Sequence, residues 1–424
     1  MAAKARKRTS FWNAGVSPPE HDRQLSFFDL PMFIIIMVLL ALGIIMMFSA
    51  GFAWAINEGL PGNYYANRQI MMAGIGIVGM IIVSLFDYHL LQKAFIVFGA
   101  YAAGLVLMLL CFVPGIGTPH NGAYRWIRIF GIEFQPSEIA KMALILMIAY
   151  FASINYRKMK KFTVGIVPFI AMMGVYAVVL IKQPHFSATI IMLAICFSLM
   201  LIGGADIKHI VLLVILAAVG VVAIMMYKSM TGELSYIQKR INSFFYPFNP
   251  EYADDTWQTR NSLIAIGSGG WFGLGLGKSR QKFLYLPESK NDFVFAVVCE
   301  ELGFIGALLV ITLFLLFIVR GFTIAVKAVD KSGMLIACGI TIQIGLQALL
   351  NIAVVSNAIP NTGISLPFFS YGGTALIMQL LEMGVLLNIS RHVVRVRRAD
   401  GTEENITYSD SDADFDYDGD YSAT

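Results

Sequence analysis

The chain is 424 residues long, 57% of them apolar and only 14% charged, and its formal net charge is +4. Soluble domains average about a quarter charged residues, so this composition excludes a soluble globular protein, and we expect no nucleic-acid partner. Apolar runs of about 18 residues or more recur, and each can cross the ~30 Å hydrocarbon core of a bilayer as a helix. The sequence therefore predicts an all-α polytopic membrane protein with a single bundle.

Hydropathy predicts about ten membrane spans. The chain begins with a basic segment, residues 1–25, which suits contact with anionic lipid head groups of the membrane. The first apolar run is too long for a cleavable signal and has no small-residue cleavage site, so we expect it to remain as an anchor. The bundle would occupy residues 26–395, with spans near residues 31–55, 70–87, 93–114, 136–155, 162–181, 186–204, 208–228, 293–319, 333–355 and 370–390.

Lysine and arginine determine the predicted orientation. Basic clusters at residues 4–8, 157–161 and 391–398 all fall inside the cell when both termini are cytoplasmic, as the positive-inside rule requires. The acidic segment 396–424 has too little aliphatic bulk to fold, so we expect a disordered cytoplasmic tail. A docking site for a basic partner is the alternative interpretation of this tail.

One predicted outer connection, residues 115–135, is longer than a simple turn. It combines glycines with aliphatic residues and Trp126, so we expect it to lie against the membrane surface. Trp126 alone is typical of the aromatic belt at a membrane interface. Arg125 and Arg128 place positive charge outside, against the topological rule, and this makes them candidates for binding.

The large outer loop, residues 229–292 between predicted helices 7 and 8, is the segment that most resembles a small soluble region. A glycine cluster at residues 267–277 could bring backbone N–H groups close to an oxyanion, although no P-loop pattern is present. The alternative is that the cluster is only a connection. The basic side chains of this loop include Arg240, Lys278, Arg280 and Lys282.

Charged residues also fall inside the predicted spans. Glu138 and Lys141 are three residues apart and share a helix face, so they either neutralise each other or line a polar cavity. Glu300, Glu301 and Glu382 are further acids of this kind. Intramembrane acids are candidates for functional sites, in transporters as readily as in enzymes.

Asp292 lies where the large outer loop meets an apolar span. A carboxylate at the boundary between water and hydrocarbon is costly to desolvate. It is therefore either paired with a cation, for which Lys282 and Lys290 are the neighbours, or retained for chemistry.

Five segments, in order along the chain, resemble signatures of the SEDS family (shape, elongation, division and sporulation). The similarity runs from about residue 25 to 395 and favours the division and sporulation branch over RodA. One departure is His185, where the family commonly has an acidic residue after Gln-Pro. The matching segments are residues 121–127, 134–141, 275–288, 291–306 and 363–374.

The resemblance implies a ten-helix peptidoglycan glycosyltransferase. Such an enzyme polymerises lipid II into glycan strands at the outer face of the bacterial cytoplasmic membrane, at the septum during cell division or in sporulation. The carboxylate that matches Asp292 is essential in the family, and we expect Asp292 to act as the general base. One base and direct displacement predict an inverting reaction. The side chains we expect to bind substrate are Arg125, Trp126, Glu138, Lys141, Arg240, Lys278, Arg280, Lys282, Glu288 and Ser370.

The partners that the resemblance implies are lipid II, a class B penicillin-binding protein and other divisome membrane proteins. No cofactor is identified by the sequence, and a divalent cation, Mg²⁺ or Mn²⁺, is left open because no ligand cluster is visible. Two alternative functions remain at this point. One is a lipid II flippase, which the intramembrane acids would also suit, and the other is a non-catalytic division scaffold.

Overall fold

The computed structural model describes residues 22–25, 27–120, 123–129, 132–213, 215, 244–397 and 403–406. Several predicted features lie outside these residues. They are most of the basic segment 1–25, most of the seventh span 208–228, Arg240, and most of the acidic tail 396–424.

Twelve helices are described with both ends. Seven spans are long and apolar enough to cross a membrane, with the two consecutive helices of Phe162–Lys182 counted as one. Two further apolar helices, Ala94–Leu110 and Phe186–Ile202, are shorter. These nine elements coincide with nine of the predicted spans, which confirms the helical membrane architecture; the tenth, residues 208–228, stays a prediction. The helices are α1 Leu30–Ala50, α2 Phe52–Asn57, α3 Tyr64–Leu85, α4 Ala94–Leu110, α5 Pro136–Ile154, α6 Phe162–Gly165, α7 Val167–Lys182, α8 Phe186–Ile202, α9 Ala253–Gly269, α10 Val294–Val326, α11 Lys331–Val355 and α12 Gly373–Arg391.

Two small antiparallel sheets, which the all-α prediction did not include, accompany the helices. Their strands are β1 Asp22–Leu25, β2 Gly117–His120, β3 Ala123–Ile129, β4 Ile132–Phe134, β5 His392–Arg397 and β6 Glu403–Ile406, in the orders β1-β5-β6 and β2-β3-β4. In β3 the buried residues Ala123 and Ile127 alternate with the exposed Tyr124 and Arg128. This two-residue period marks a strand, but Arg125 on the inward face hides it from a hydropathy profile.

Helices α5 and α11 are the most buried of the candidate membrane helices. The buried side chains of α5 include Leu144 and Ile148, and also the charged Lys141. Polar side chains in a membrane bundle point inward because lipid cannot hydrogen-bond them. The polar interior of this bundle therefore follows these two helices.

Helix α10 breaks at Gly303, whose φ of 68° lies in the left-handed region that favours glycine. The glycine-rich segment crosses the helix at this break, where the Leu274 N–H donates to the Glu300 carbonyl at 2.9 Å. A Cβ added to Gly303 would lie 2.3 Å from the backbone nitrogen of Gly273. The glycine cluster at residues 267–277 thus allows a close backbone crossing beside the start of α10.

Candidate active site at Asp292

Asp292 stands two residues before the start of α10, and two polar side chains hold the backbone there. The Asn351 amide, on α11, donates to the Asp292 carbonyl at 2.7 Å and to the Ile364 carbonyl at 2.6 Å. The Ser370 hydroxyl donates to the Asn291 carbonyl at 2.8 Å. These contacts tie the segment before α10 to α11 and to the loop before α12, so the position of Asp292 is fixed.

The Asp292 carboxylate, unlike its backbone, makes no hydrogen bond or ion pair with any residue that the structure describes. It remains partly exposed. Its pKa is raised to about 7, mainly by burial and also by the Glu288 carboxylate, while the Arg125 guanidinium opposes the shift. A carboxylate with this pKa accepts and releases a proton near neutral pH, as a general base must.

The two neighbouring lysines do not neutralise Asp292. Lys282 Nζ lies 3.1 Å from Glu301 Oε1, and Lys290 Nζ lies 3.1 Å from Glu58 Oε1. Both ammonium groups are therefore paired with other carboxylates. The interpretation of Asp292 as a helix anchor through one of these lysines has no support in this geometry.

Arg125 extends from β3 toward the connection between α7 and α8. Its guanidinium donates to the carbonyls of Gln183, at 3.4 Å, and Pro184. Burial lowers the pKa of Arg125, and the charge of Asp292 opposes that shift, so the two groups act on each other from beyond ion-pair distance. Arg125 is held in place by carbonyl groups and leaves the carboxylate unneutralised.

His185, which stands where the family commonly has an acid, adds no negative charge to this site. Burial, together with the positive charges of Arg125 and Lys141, lowers its pKa to about 3. The ring is neutral, with its Nε2 3.1 Å from the Gln135 amide nitrogen. The departure from the family pattern therefore replaces a charged group with a buried neutral one.

Glu138 and Lys141 form an ion pair inside the bundle, with Lys141 Nζ 2.8 Å from Glu138 Oε2. Lys141 Nζ also donates to Gln347 Oε1 at 3.4 Å, and the Gln347 amide donates to Ser365 Oγ at 3.2 Å. The predicted neutralisation is therefore present, and the pair also belongs to a polar network that reaches the loop before α12.

A line of amides on one face of α11 connects this network with Asp292. Gln343, Gln347 and Asn351 follow each other at four-residue spacing and therefore share a face, spanning about 12 Å. Gln343 donates to Glu382 at 2.8 Å, at the end of the line away from Asp292. The sequence interpretation did not identify these amides. Their regular spacing within an apolar helix is the signal that could have identified them.

The loop after the glycine cluster wraps around two carboxylates of α10. Glu301 accepts from the backbone N–H groups of Gly277, at 2.9 Å, and Ser279, at 3.0 Å. Glu300 accepts from the Arg280 N–H at 2.9 Å and from the Ser279 hydroxyl. The anions that these N–H groups bind are thus side chains of the protein itself.

Lys282 belongs to this internal cluster. Only 2% of the residue is exposed. Its ammonium donates to Glu301, to Ser49 Oγ at 2.7 Å and to the Gly277 carbonyl at 2.6 Å. All three donors are used inside the protein, so the predicted substrate-binding role of Lys282 does not fit its position.

The remaining predicted binding residues differ in accessibility. Lys278 and Arg280 are exposed, while Trp126 on β3 and Glu288 beside Asp292 are half-buried. Ser370 is largely buried and holds the backbone before Asp292, which makes it a positioning residue. Among the described residues, no cluster of three His, Cys, Asp or Glu ligands lies at Asp292, so the divalent cation gains no support from these side chains.

The fold and the site define a class, a multi-pass helical membrane protein with a carboxylate at one end of its bundle that no described residue pairs with. The sequence profile of the FtsW, RodA and SpoVE family, described as cell cycle proteins, matches residues 30–395. The chain belongs to this family, which confirms the resemblance seen in its motifs.

Two relatives illustrate the extent of the similarity. The chain is 37% identical over 368 residues to the probable peptidoglycan glycosyltransferase FtsW of Geobacter sp. (strain M18), covering 87% of this chain and 98% of the relative. It is 38% identical over 371 residues to the stage V sporulation protein E of Bacillus subtilis (strain 168), covering 86% and 97%. These relatives span nearly the whole membrane domain.

Solved structures share the fold at lower identity. One comes from work on the coordination of polymerization and crosslinking by a peptidoglycan synthase complex, with a TM-score of 0.71 and 24% identity over 86% of this chain and 98% of that one. The rod shape determining protein RodA of Thermus thermophilus superimposes with a TM-score of 0.60 at 24% identity, over 86% and 97%. At this identity the likeness concerns the fold.

Proposed function

We propose that this protein is a peptidoglycan glycosyltransferase that polymerises lipid II during cell division or sporulation, with Asp292 as the general base. Relatives that match over most of the chain carry the name peptidoglycan glycosyltransferase. The observation that supports the proposal most directly is the Asp292 carboxylate, which is unpaired among the described residues, partly exposed and has a pKa of about 7.

In the proposed reaction, a sugar hydroxyl of one substrate attacks the anomeric carbon of the other. Asp292 takes the hydroxyl proton as the new C–O bond forms, and the lipid pyrophosphate leaves with the electron pair of the broken bond. Direct displacement inverts the anomeric carbon, from an α-linked donor to a β-linked chain. A positioned base contributes roughly 10²–10⁴-fold to such a rate, and holding both substrates in line contributes up to ~7–11 kcal/mol.

The departing pyrophosphate needs cationic partners. Arg125 faces Asp292, and Lys278 and Arg280 are exposed on the adjoining loop, so these three are the cations we assign to substrate binding. Trp126 and Glu288 complete the accessible lining. Glu138 and Lys141 support the site from within the bundle, and Arg240, outside the described residues, stays a candidate.

The active site faces outward in this proposal. The positive-inside rule places both termini in the cytoplasm, so α10 begins at the outer face, where lipid II is polymerised. A class B penicillin-binding protein and other divisome membrane proteins are the partners that we propose, and the division septum is the proposed location. The membrane lipids surround the exposed apolar faces of the spans.

Polymerisation of labelled lipid II by the purified full-length protein in detergent, with and without a cognate transpeptidase, tests the proposal. Asp292→Asn keeps the size of the side chain and removes the base, so we expect a rate loss of roughly 10²–10⁴-fold. Asp206→Asn, a matched change near the start of the helical segment at residues 207–213, should retain full activity. Undiminished polymerisation by Asp292→Asn would overturn the assignment.

The same assay separates the enzyme from the two alternatives. A flippase needs two compartments, so it would produce no glycan in detergent. A scaffold would produce none even with the transpeptidase present. The buried acids Glu138 and Glu382 would suit a flippase, but both have hydrogen-bonded or charged partners within the bundle.

A further inference from the structure

We propose that the end of the bundle opposite Asp292 carries a transition-metal site, of the zinc class, formed by Asp87, His89 and His392. It is separate from the active site, since α12 begins after the loop that contacts Asn291 and runs about 28 Å before His392 follows it. The three donor atoms lie within 4.8 Å of one another, the one such group of His, Cys, Asp or Glu side chains among the described residues.

The donors come from two elements that meet at this end. Asp87 and His89 belong to a short 3₁₀ turn between α3 and α4, where the Asp87 carboxylate caps the turn by accepting the His89 N–H at 3.0 Å. His392 directly follows α12. Asp87 Oδ1 lies 2.5 Å from His89 Nδ1 and 3.5 Å from His392 Nε2, so both rings converge on one carboxylate.

The contact between His392 and the Asn388 carbonyl determines which ring nitrogen of His392 carries the hydrogen. His392 Nδ1 lies 3.0 Å from the Asn388 carbonyl, which can only accept, so Nδ1 carries the hydrogen. In the neutral ring Nε2 then presents a lone pair to the Asp87 carboxylate. Two electron-rich groups face each other stably only if a proton or a metal ion lies between them, and a histidine whose other nitrogen is bonded to a carbonyl is typical of metal ligands.

Both ring nitrogens of His89 also lie close to carboxylate oxygens. Its Nδ1 faces Asp87, and its Nε2 lies 3.8 Å from Asp330 Oδ1. A neutral imidazole has a single N–H, so one of these two nitrogens points a lone pair at a carboxylate. Among the described residues, no lysine or arginine is ion-paired with Asp87 or Asp330. The Arg391 guanidinium donates to the Ser84 carbonyl instead.

The surrounding groups hold the ligands in place without a metal. The Asn388 side chain is buried; it accepts the Tyr88 N–H at 2.9 Å and donates to the Ser84 carbonyl at 2.8 Å. Gln92 donates to Asp330 at 2.7 Å. Two imidazoles and a carboxylate match the ligands of zinc and its neighbours better than those of Mg²⁺. A bound ion would link the junction of α3 and α4 to the end of α12.

Metal content of the full-length protein tests this inference. The protein is purified with an affinity tag free of histidine, treated with chelator, and reloaded with Zn²⁺ or Co²⁺. We expect about one ion per chain by mass spectrometry, a Co²⁺ absorption band, and a higher thermal midpoint with metal. The double variant His89→Ala/His392→Ala should lose at least ~10–100-fold in metal affinity.

His209→Ala removes a histidine within the helical segment at residues 207–213, which does not belong to the cluster, and should leave metal binding unchanged. If the wild type and the double variant bind the same amount of metal, or the wild type binds none after reloading, the inference fails. A thermal midpoint that depends on pH but not on metal would identify a protonated histidine as the cation and also overturn it. These readouts do not depend on glycan synthesis, so they are independent of the proposed function.

Discussion

Asn351 and Asp292 are joined by a 2.7 Å hydrogen bond from the Asn351 amide to the Asp292 backbone carbonyl. The donor lies on the most buried face of α11, and the acceptor lies at the turn into α10. Since no described residue binds the Asp292 carboxylate, its position depends on backbone contacts, this one and the neighbouring bond from the Ser370 hydroxyl to the Asn291 carbonyl. Neutral side chains of other elements thus hold the base in place.

Replacement of Asn351 with Leu should reduce the rate of polymerisation more than it impairs substrate binding. The change leaves the carbonyls of Asp292 and Ile364 unpaired, at a cost of about 1–3 kcal/mol each. A displacement of the base by 1 Å can cost roughly 10²-fold, so kcat should fall while KM changes little. Steady-state kinetics and thermal unfolding in detergent measure both effects.

Ser356→Ala, at the exposed end of the same helix, is the control for Asn351→Leu and should alter neither quantity. Unchanged kcat in the folded Asn351→Leu variant would contradict a positioning role. A rise in KM without a fall in kcat would indicate that Asn351 contacts the substrate instead.

The pH dependence of polymerisation should report the ionisation of Asp292. Below its pKa of about 7 the base is protonated, so kcat/KM should fall about tenfold per pH unit as the pH decreases and level off above neutrality. Glu288→Gln removes a negative charge that raises this pKa, so the midpoint should move down. Arg125→Gln removes the opposing positive charge, so the midpoint should move up.

Lys278→Gln serves as the control for the pH profiles, because Lys278 is exposed and its charge does not act on Asp292. Its midpoint should match that of the wild type even if its KM rises. Identical midpoints in the Glu288 and Arg125 variants would show that another group titrates.

The sequence predicted nine of the spans, and the position of Asp292 just before one of them, because both depend on local information. A run of apolar residues determines a membrane helix, and a carboxylate at its end is visible in the chain itself. The role of Lys282 was not predictable in this way. Its partner Glu301 is nineteen residues away, and the two meet only because α10 breaks at Gly303 and the glycine segment crosses it.

In the network around Glu138, the local ion pair was predicted from the sequence, but the contact between helices was not. Glu138 and Lys141 are one helical turn apart, so their ion pair follows from spacing. The contact of Lys141 with Gln347 joins α5 to α11 across 206 residues, and no local pattern specifies it. Only the helix packing brings the two side chains together.

Removal of either partner from the Lys282–Glu301 pair should destabilise the protein strongly. Lys282→Met leaves Glu301 as a buried anion with fewer donors, and Glu301→Gln leaves the ammonium without its counter-charge; each should cost roughly 3–5 kcal/mol. The double variant should lose less than the sum of the two, because neither charge of this pair is left without the other. Thermal unfolding of the four proteins gives the coupling, and strict additivity would contradict the pairing.

Gly303→Ala should disrupt the crossing of the glycine segment over α10. The new Cβ would lie 2.3 Å from the Gly273 nitrogen, and φ at this position is 68°, so both space and backbone conformation oppose the change. The segment would have to move away from Glu300 and Glu301, and Asp292, just before the start of the same helix, would shift with it. We therefore expect a lower thermal midpoint together with loss of polymerisation.

Gly174→Ala, in α7 with open space around its Cα, should instead stabilise the protein by about 0.5–1 kcal/mol and keep its activity. If Gly303→Ala behaved like Gly174→Ala, the backbone crossing would not be needed for the fold.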